Sequence, residues 1–312
     1  MADYQLAQVA TMYYYQGMSQ QEIAKSLGVS KMTISRMLQK AKEQEIVKIS
    51  VQLPFELDDM LSQHLVKKYD LHRAIVVKHS KADMETLPEL LGRVWAFYMG
   101  TTRLEKTILG MGVGNTLAHI VQSLVPMNAK NLHIVQLMGG LSDVSSENPI
   151  TIIQETCRKL EANGTYVTST ATVQNKALRD SLLYNTSMGQ RVMELWQQCK
   201  IALFGIGAIE RGTLLSPELV SVEELNTLKQ AGAVGDILGH CFDQKGNFIE
   251  TELEERLVSI PVSLLKTIDE RIAVAGGDYK VSAIRSVLLS GIVTTLVTDD
   301  QTAKDLDKII IE

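Results

Sequence analysis

Cysteine is scarce in this chain: three residues in 312, Cys157, Cys199 and Cys241, far apart and with no C-x-x-C pair. That usage suits a reducing cytosol and lacks a zinc signature. The six histidines show no metal-ligand spacing either, so no metal and no cofactor is expected. No apolar run approaches the roughly 20 residues that a membrane helix requires. The opening MADYQLAQVA lacks the charged, apolar and small-residue order of a signal peptide. The expected setting is therefore the cytoplasm, with no membrane partner. An overall excess of positive charge is also missing. The net charge of −5 excludes a protein that binds nucleic acid over its whole surface.

The charge is unevenly spread, however. Residues 1–50 hold six Lys/Arg against four Asp/Glu, a balance of +2 that leaves −7 for the remainder. A small basic module on an acidic body fits DNA contact at one end. So slight an excess calls for two or more copies, and a homodimer or homotetramer is expected.

The basic module carries the most informative stretch, Ser19 to Gln39. Ser19-Gln20-Gln21-Glu22 fits a capping box, in which the Ser hydroxyl takes one amide and Glu22 reaches back to another. Ile23, Ala24 and Leu27 form an apolar stripe on a short helix, and Ala24 is small where a second helix must cross. Gly28 can adopt the left-handed conformation that ends a helix, and Val29 is placed to plug the corner. Ser30 caps a second helix whose Ile34, Met37, Leu38 and Ala41 repeat at helical spacing. The opposite face holds Lys31, Met32, Ser35, Arg36 and Gln39. Short polar groups and cations there suit a recognition helix lying in the major groove of double-stranded operator DNA. The DNA-contacting set is read as Ser30, Lys31, Met32, Thr33, Ser35, Arg36, Gln39 and Lys40. Gln5–Tyr15 reads as a preceding helix. Ile46–Val51 alternates apolar and polar residues like a returning strand, which suggests a winged helix-turn-helix with Lys48 on the wing. An ordinary amphipathic hairpin is the competing reading; the caps, Ala24, Gly28 and the periodicity together weigh against it.

Pro54 interrupts the wing-like stretch and sets the domain boundary, 1–52 and 53–312. Leu57–Tyr69 reads as a joining helix. Beyond it, strand-like segments (Ala74–Val77, Thr107–Met111, Leu132–Leu137, Ile201–Ile206, Ile272–Ala275, Thr295–Thr298) alternate with helical ones. The helices are Leu87–Met99, Thr116–Leu124, Ile150–Glu161, Ser187–Cys199, Val222–Gln230, Lys280–Leu289 and Asp300–Asp307. Short apolar strands divided by helices indicate a mostly parallel, Rossmann-like α/β sheet.

In such sheets ligands gather at the carboxyl ends of the strands. Gly-rich turns occur there: Gly110-x-Gly112-x-Gly114-Asn115-Thr116, Gly139-Gly140, Gly205-Ile206-Gly207, and Gly276-Gly277 followed by Lys280. Glycine permits close backbone approach, and helix-start amides favour an anion such as phosphate. Glycine also serves packing in strand-to-helix turns, so any single loop decides little. The spacing fits neither a Walker loop nor a dinucleotide fingerprint, which makes a nucleotide the less favoured ligand. Asp236 lies in Gly232–Gly239, an otherwise apolar run, and a carboxylate buried there needs partners. Sugar hydroxyls would serve; the alternative is an Asp that caps a helix starting at Ile237.

These residues resemble a family. Tyr13-Tyr14 with Ser19–Ala24, Thr33–Leu38, Val135–Gly140, Ala233–Ile237 with Phe242-Asp243, and Val274–Gly277 with Lys280 are similar, in that order, to motifs of SorC-type bacterial transcriptional regulators. The resemblance runs over nearly the whole chain. It implies an N-terminal DNA-binding domain and an effector domain like the phosphosugar isomerases and deaminases. It also implies an oligomer whose DNA binding a phosphorylated sugar alters. By the same resemblance, Gly114, Asn115 and Thr116 match a phosphate-holding loop, Gly139 and Gly140 a second loop, and Asp236 and Lys280 a polar pair on the ligand. Gly112, Gly207, Phe242 and Gly276 complete the expected effector set. Many members carry Thr in place of Asn115, and some carry Trp or Phe in place of Val113, which implies a different ligand preference here. The function expected is a repressor of a carbohydrate-uptake or catabolic operon, without catalysis. The deaminases of this fold resemble G-x-G-x-D-G-H after the central strand, whereas Gly205–Arg211 here lacks both the Asp and the His. A purely oligomerising C-terminal part is the other alternative.

Overall fold

Ser19 and Ser30 start the helices that define the N-terminal unit. The computed structural model describes residues 2–49, 51–80, 86–102, 104, 106–129, 131–140, 148–211 and 219–309, and it divides into two units, Met1–Pro54 and Phe55–Glu312. In the first, α1 (Ala2–Tyr14) precedes α2 (Gln20–Leu27) and α3 (Lys31–Glu43). The capping box is complete: the Glu22 amide donates to Ser19 Oγ at 3.2 Å, and the Ser19 amide donates to Glu22 Oε2 at 2.8 Å. These bonds hold the Glu22 carboxyl below its usual range. Gly28 ends α2 at φ 65°, the left-handed conformation glycine adopts without a Cβ penalty. Ser30 Oγ then accepts the Thr33 amide at 3.1 Å.

Leu6, Val9, Ala10, Ile23, Ala24, Ile34, Leu38 and Ala41 form one small core, with Met37 packed against it. Leu27 and Val29 differ from the sequence expectation, being 38% and 41% exposed rather than inside. The core closes on Ile23 and Ala24 before the helix reaches Leu27.

The wing requires correction. The described residues of the 46–51 stretch form no strand. After α3, Glu45 takes a left-handed φ of 56°, and the Val47 amide donates to Ala41 O at 3.0 Å. Ile46 and Val47 thereby fold back onto the small core. Alternating polarity makes a strand only where a second strand takes its backbone bonds, and none does so here among the described residues.

The second unit contains α4 (Asp59–Tyr69), β1 (Arg73–Val77), α5 (Leu87–Thr101), β2 (Ile108–Met111), α6 (Asn115–Ser123), β3 (His133–Gln136), α7 (Pro149–Leu160) and β4 (Asn163–Thr165). It continues with α8 (Lys176–Tyr184), α9 (Ser187–Gln198), β5 (Ile201–Phe204), β6 (Gly207–Ala208), α10 (Val222–Gln230), β7 (Ala233–Ile237) and β8 (His240–Asp243). The last elements are α11 (Glu252–Arg256), α12 (Val262–Leu265), β9 (Glu270–Val274), a 3-10 turn (Asp278–Lys280), α13 (Val281–Leu289), β10 (Thr295–Asp299) and α14 (Asp300–Lys308).

Seven strands form one sheet in the order β1-β10-β9-β5-β2-β3-β4. Every pairing in it is parallel. Both faces are covered, as a parallel sheet requires. One apolar cluster joins α5, α6 and α7 to one face through residues such as Leu91, Ile120 and Ile153. The other joins α4, α9, α13 and α14 through Leu65, Trp196, Ile284 and Leu306. The six expected strands all lie in this sheet, with ends shifted by a few residues. Edge strand β4, reading Asn-Gly-Thr, carries no apolar signal and escaped the sequence reading.

A second, antiparallel sheet of β6-β7-β8 continues from the end of β5. Its β7–β8 hairpin occupies the run around Asp236. The alternative of a helix start at Ile237 is therefore corrected: Ile237 pairs with His240 across a two-residue turn, in which Leu238 and Gly239 both have positive φ, 52° and 85°. That is the conformation of a type I′ hairpin turn.

Candidate functional site

The route of the chain through the large sheet creates a crevice. From β2 the strands run outward through β3 to β4; the chain then returns to β5 on the other flank of β2 and proceeds through β9 and β10. The connections leaving β2 and β5 diverge, so the carboxyl ends of these two neighbours are a topological switch point, where open α/β sheets bind ligands.

Three of the expected effector loops, those after β2, β5 and β9, meet at this point. Gly114 is the N-cap of α6 at φ 122°, without a side-chain cap, and the space where its Cβ would sit is open. The first-turn amides of Asn115, Thr116 and Leu117 have no intrahelical acceptor, the usual condition of a helix start. Together with the positive end of the helix dipole they form an anion cradle. Thr116 is buried and Asn115 exposed. A Cβ on Gly205 would lie 4.0 Å from both Val113 O and Val274 O, so the turns after β2, β5 and β9 converge there.

Asp236 enters from the second sheet. It pairs with Gly207 and is 6% exposed. Its Oδ2 accepts the Gly239 amide at 3.1 Å, while Oδ1 is buried without a hydrogen-bond partner among the described residues. Burial raises the Asp236 carboxyl above its ordinary range, against the pull of the Gly239 amide and of the Lys280 and His240 charges. Lys280 closes the 3-10 turn after β9. Burial lowers its ammonium, and the field of Asp236 opposes that shift. A buried acid with an unpartnered oxygen in the field of a half-buried cation, on loops that follow the same sheet as the α6 helix start, has the chemistry to hold a polyhydroxylated anion.

Two nearby groups were not read from the sequence. Tyr279 lies between two cations, with the Arg211 guanidinium 5.4 Å and Lys280 Nζ 5.8 Å from its ring centroid. Arg211 follows β6, far from Lys280 in sequence, and only the pairing of β6 with β7 brings it alongside. No local pattern announces such a contact.

Other expected members serve packing in the structure. The Gly112 amide donates to Leu203 O at 2.8 Å, and a Cβ there would lie 2.7 Å from Leu238 Cδ2. Gly139 and Gly140 spend their amides on Val258 O and Ser169 O, at 2.7 and 2.8 Å, and a Cβ on Gly139 would lie 2.4 Å from Thr170 O. A Cβ on Gly276 would lie 2.4 Å from Asp299 Oδ1. The next amide, of Gly277, donates to Asp299 Oδ1 at 3.2 Å and to Thr302 Oγ1 at 2.8 Å. Phe242 is fully buried and meets Phe248 edge-on at 6.1 Å. At these positions the structure shows backbone contact and core packing. In the first unit, Lys31, Met32, Ser35, Arg36 and Lys40 are exposed along α3. Ser30 and Thr33 are engaged with each other at the helix start, and Gln39 Nε2 donates to Glu43 Oε1 at 3.0 Å. Among the described residues there is no cluster of three or more His, Cys, Asp or Glu that could hold a metal.

Comparison with known proteins decides the family. Residues 54–306 match the Sugar-bind family, a sugar-binding domain, and residues 5–44 match Sigma-70 region 4. The chain belongs to the SorC-type family of sugar-binding transcriptional regulators. It is 33% identical to the deoxyribonucleoside regulator of Bacillus subtilis, with 96% of each chain covered. It is 27% identical to the sorbitol operon regulator of Klebsiella pneumoniae, with 97% of each covered. The crystal structure of full-length SorC from Klebsiella pneumoniae superposes with a TM-score of 0.74 at 26% identity, covering 98% of this chain and 99% of that one. These SorC-type relatives are transcriptional regulators rather than enzymes, and this chain is one as well. No helix among the described residues is long and apolar enough to cross a membrane.

Proposed function

We propose that this SorC-type regulator represses a carbohydrate-uptake or catabolic operon in the cytoplasm. A phosphorylated sugar in the β2/β5 crevice would modulate its operator binding. The carrying observation is the buried Asp236 carboxylate, with Oδ1 unpartnered among the described residues, in the field of Lys280. A buried acceptor without a donor costs about 1–3 kcal/mol, and sugar hydroxyls supply the missing donors. Phosphate oxygens fit the first-turn amides of α6, with Lys280 as counter-charge.

DNA contact is assigned to the exposed face of α3, through Lys31, Ser35, Arg36 and Lys40. The small positive excess of residues 1–50 supports a homodimer or homotetramer, in which several modules share the phosphate contacts. The ligand acts by preferring one arrangement of the assembly, since equal affinity for both would shift nothing.

The test is a thermal-shift screen with sugars, deoxyribonucleosides, and sorbitol and deoxyribose phosphates, followed by operator mobility shifts. One phosphate should raise the midpoint where its unphosphorylated form does not, and Lys280→Ala should abolish that response while sparing DNA binding. A response to free sugar alone, or one that survives Lys280→Ala, would refute the assignment.

A further inference from the structure

The large sheet has a second concavity, at the opposite ends of its strands. A cavity of about 340 Å³ opens between the amino ends of β1, β10, β9, β5 and β2 and the end of α5. Its size falls within the roughly 300–1,000 Å³ range of small-molecule pockets. Met99, Leu109, Ile201 and Ile272 contribute apolar walls. None of the residues discussed for the sugar phosphate lies here.

Trp95 also lines this cavity. It is 7% exposed, and its indole nitrogen is buried without a hydrogen-bond partner among the described residues. Trp196, by contrast, donates its indole hydrogen to Gln136 O at 2.8 Å. A buried indole N–H ordinarily finds an acceptor, so the Trp95 donor marks a place for an oxygen that no described residue supplies. At the rim stands Arg73. Its guanidinium lies over the Tyr98 ring at 5.4 Å and has no carboxylate partner among the described residues. Glu270, also at the rim, is turned to His72 at 3.7 Å and to Thr295 at 3.5 Å. A multiply charged anion would meet the Glu270 charge and the apolar walls; a single carboxylate on an apolar body would meet the two free donors.

We propose that this cavity is a second ligand site, for a small organic monocarboxylate with an apolar body. The body lies among Met99, Leu109, Ile201 and Ile272, and the carboxylate accepts from Trp95 Nε1 and Arg73.

Titration calorimetry of the full-length chain with sodium octanoate, kept below its micelle-forming concentration, tests this, with 1-octanol as the neutral counterpart. Octanoate should bind saturably and change the tryptophan emission of the parent, and that change should vanish in Trp95→Phe. Trp95→Phe and Arg73→Gln should each weaken octanoate by about tenfold, the loss of one charge-assisted or buried hydrogen bond. Arg73→Gln should leave 1-octanol unchanged. Circular dichroism checks the fold of both variants, and the exposed Arg73 position carries the test if Trp95→Phe does not fold. Absence of binding, equal octanoate affinity in parent and Arg73→Gln, or tighter binding of 1-octanol than of octanoate would overturn the proposal. So would a change of oligomeric state in place of saturable heat, which would give the cavity to a neighbouring copy.

Discussion

The Asp236 carboxylate lies directly against the backbone of Gly207: a Cβ at position 207 would stand 2.0 Å from Oδ1. Glycine there is a condition for the acid's position, since no L side chain fits without moving the carboxylate. Gly207→Ala should therefore displace Asp236 and cost about 1–3 kcal/mol, the usual range for overpacking a filled site. Urea unfolding measures that cost. The thermal response to the phosphorylated sugar should be lost, while operator binding in its absence stays.

Asp236→Asn should separate ligand binding from stability. Burial raises the Asp236 carboxyl, so the folded chain holds this proton more tightly than the unfolded chain. Stability then falls as pH rises from the unfolded value near 3.8 through the raised folded value. Asn has no such proton, so the midpoint of Asp236→Asn should gain on the parent over that rise and keep the gain at neutral pH. A thermal-melt series from pH 3 upward would refute this if the two curves ran parallel. The effector response should be lost in the variant.

At high pH the Lys280 ammonium contributes with the opposite slope. Burial lowers its folded value below 10.5, so the unfolded chain binds the extra proton. Stability therefore rises with pH between the lowered folded value and the unfolded one. Lys280→Met should flatten that alkaline rise in a melt series extended to pH 11.

On the DNA side, Arg36 lies on the exposed face of α3. Arg36→Ala should weaken binding to duplexes selected by the parent from a random pool, by about 1–3 kcal/mol if it reads a base edge. If it contacts phosphate instead, the loss should be uniform across sequences and the salt slope should fall by about one. Fluorescence anisotropy at several salt concentrations distinguishes the two. Unchanged affinity would remove Arg36 from the interface.

The capping box is open to a stability test. Ser19→Ala removes the acceptor of the Glu22 amide and should cost about 1 kcal/mol. Because its partners hold the Glu22 carboxyl low, the support of this pair is present above the unfolded carboxyl value. It is lost as pH falls through the lowered folded one. Hydrogen exchange at the α2 amides should accelerate in the variant near neutral pH, and in both proteins it should accelerate further as the Glu22 carboxyl is protonated.

What the sequence by itself determined was local. Ser19, Glu22, Gly28 and Ser30 set helix ends through bonds within four residues, so the helix-turn-helix was legible before any tertiary contact. The six main strands were legible because strands buried on both faces are continuous apolar runs. Alternation misled in the 46–51 stretch, where it found no partner strand among the described residues and Ile46 and Val47 folded back onto the small core. Tertiary structure decided everything that depends on pairing at a distance. The β7–β8 hairpin became visible only as a partner of β6, and with it came the contact of Asp236 on Gly207 and the placing of Arg211 beside Tyr279. It also sorted the glycines: Gly114 leaves open space before a helix start, whereas Gly139 and Gly276 are glycine because another backbone or side chain occupies the position of a Cβ. Spacing cannot separate those two reasons, since both produce a glycine after a strand; only the neighbour across the gap does.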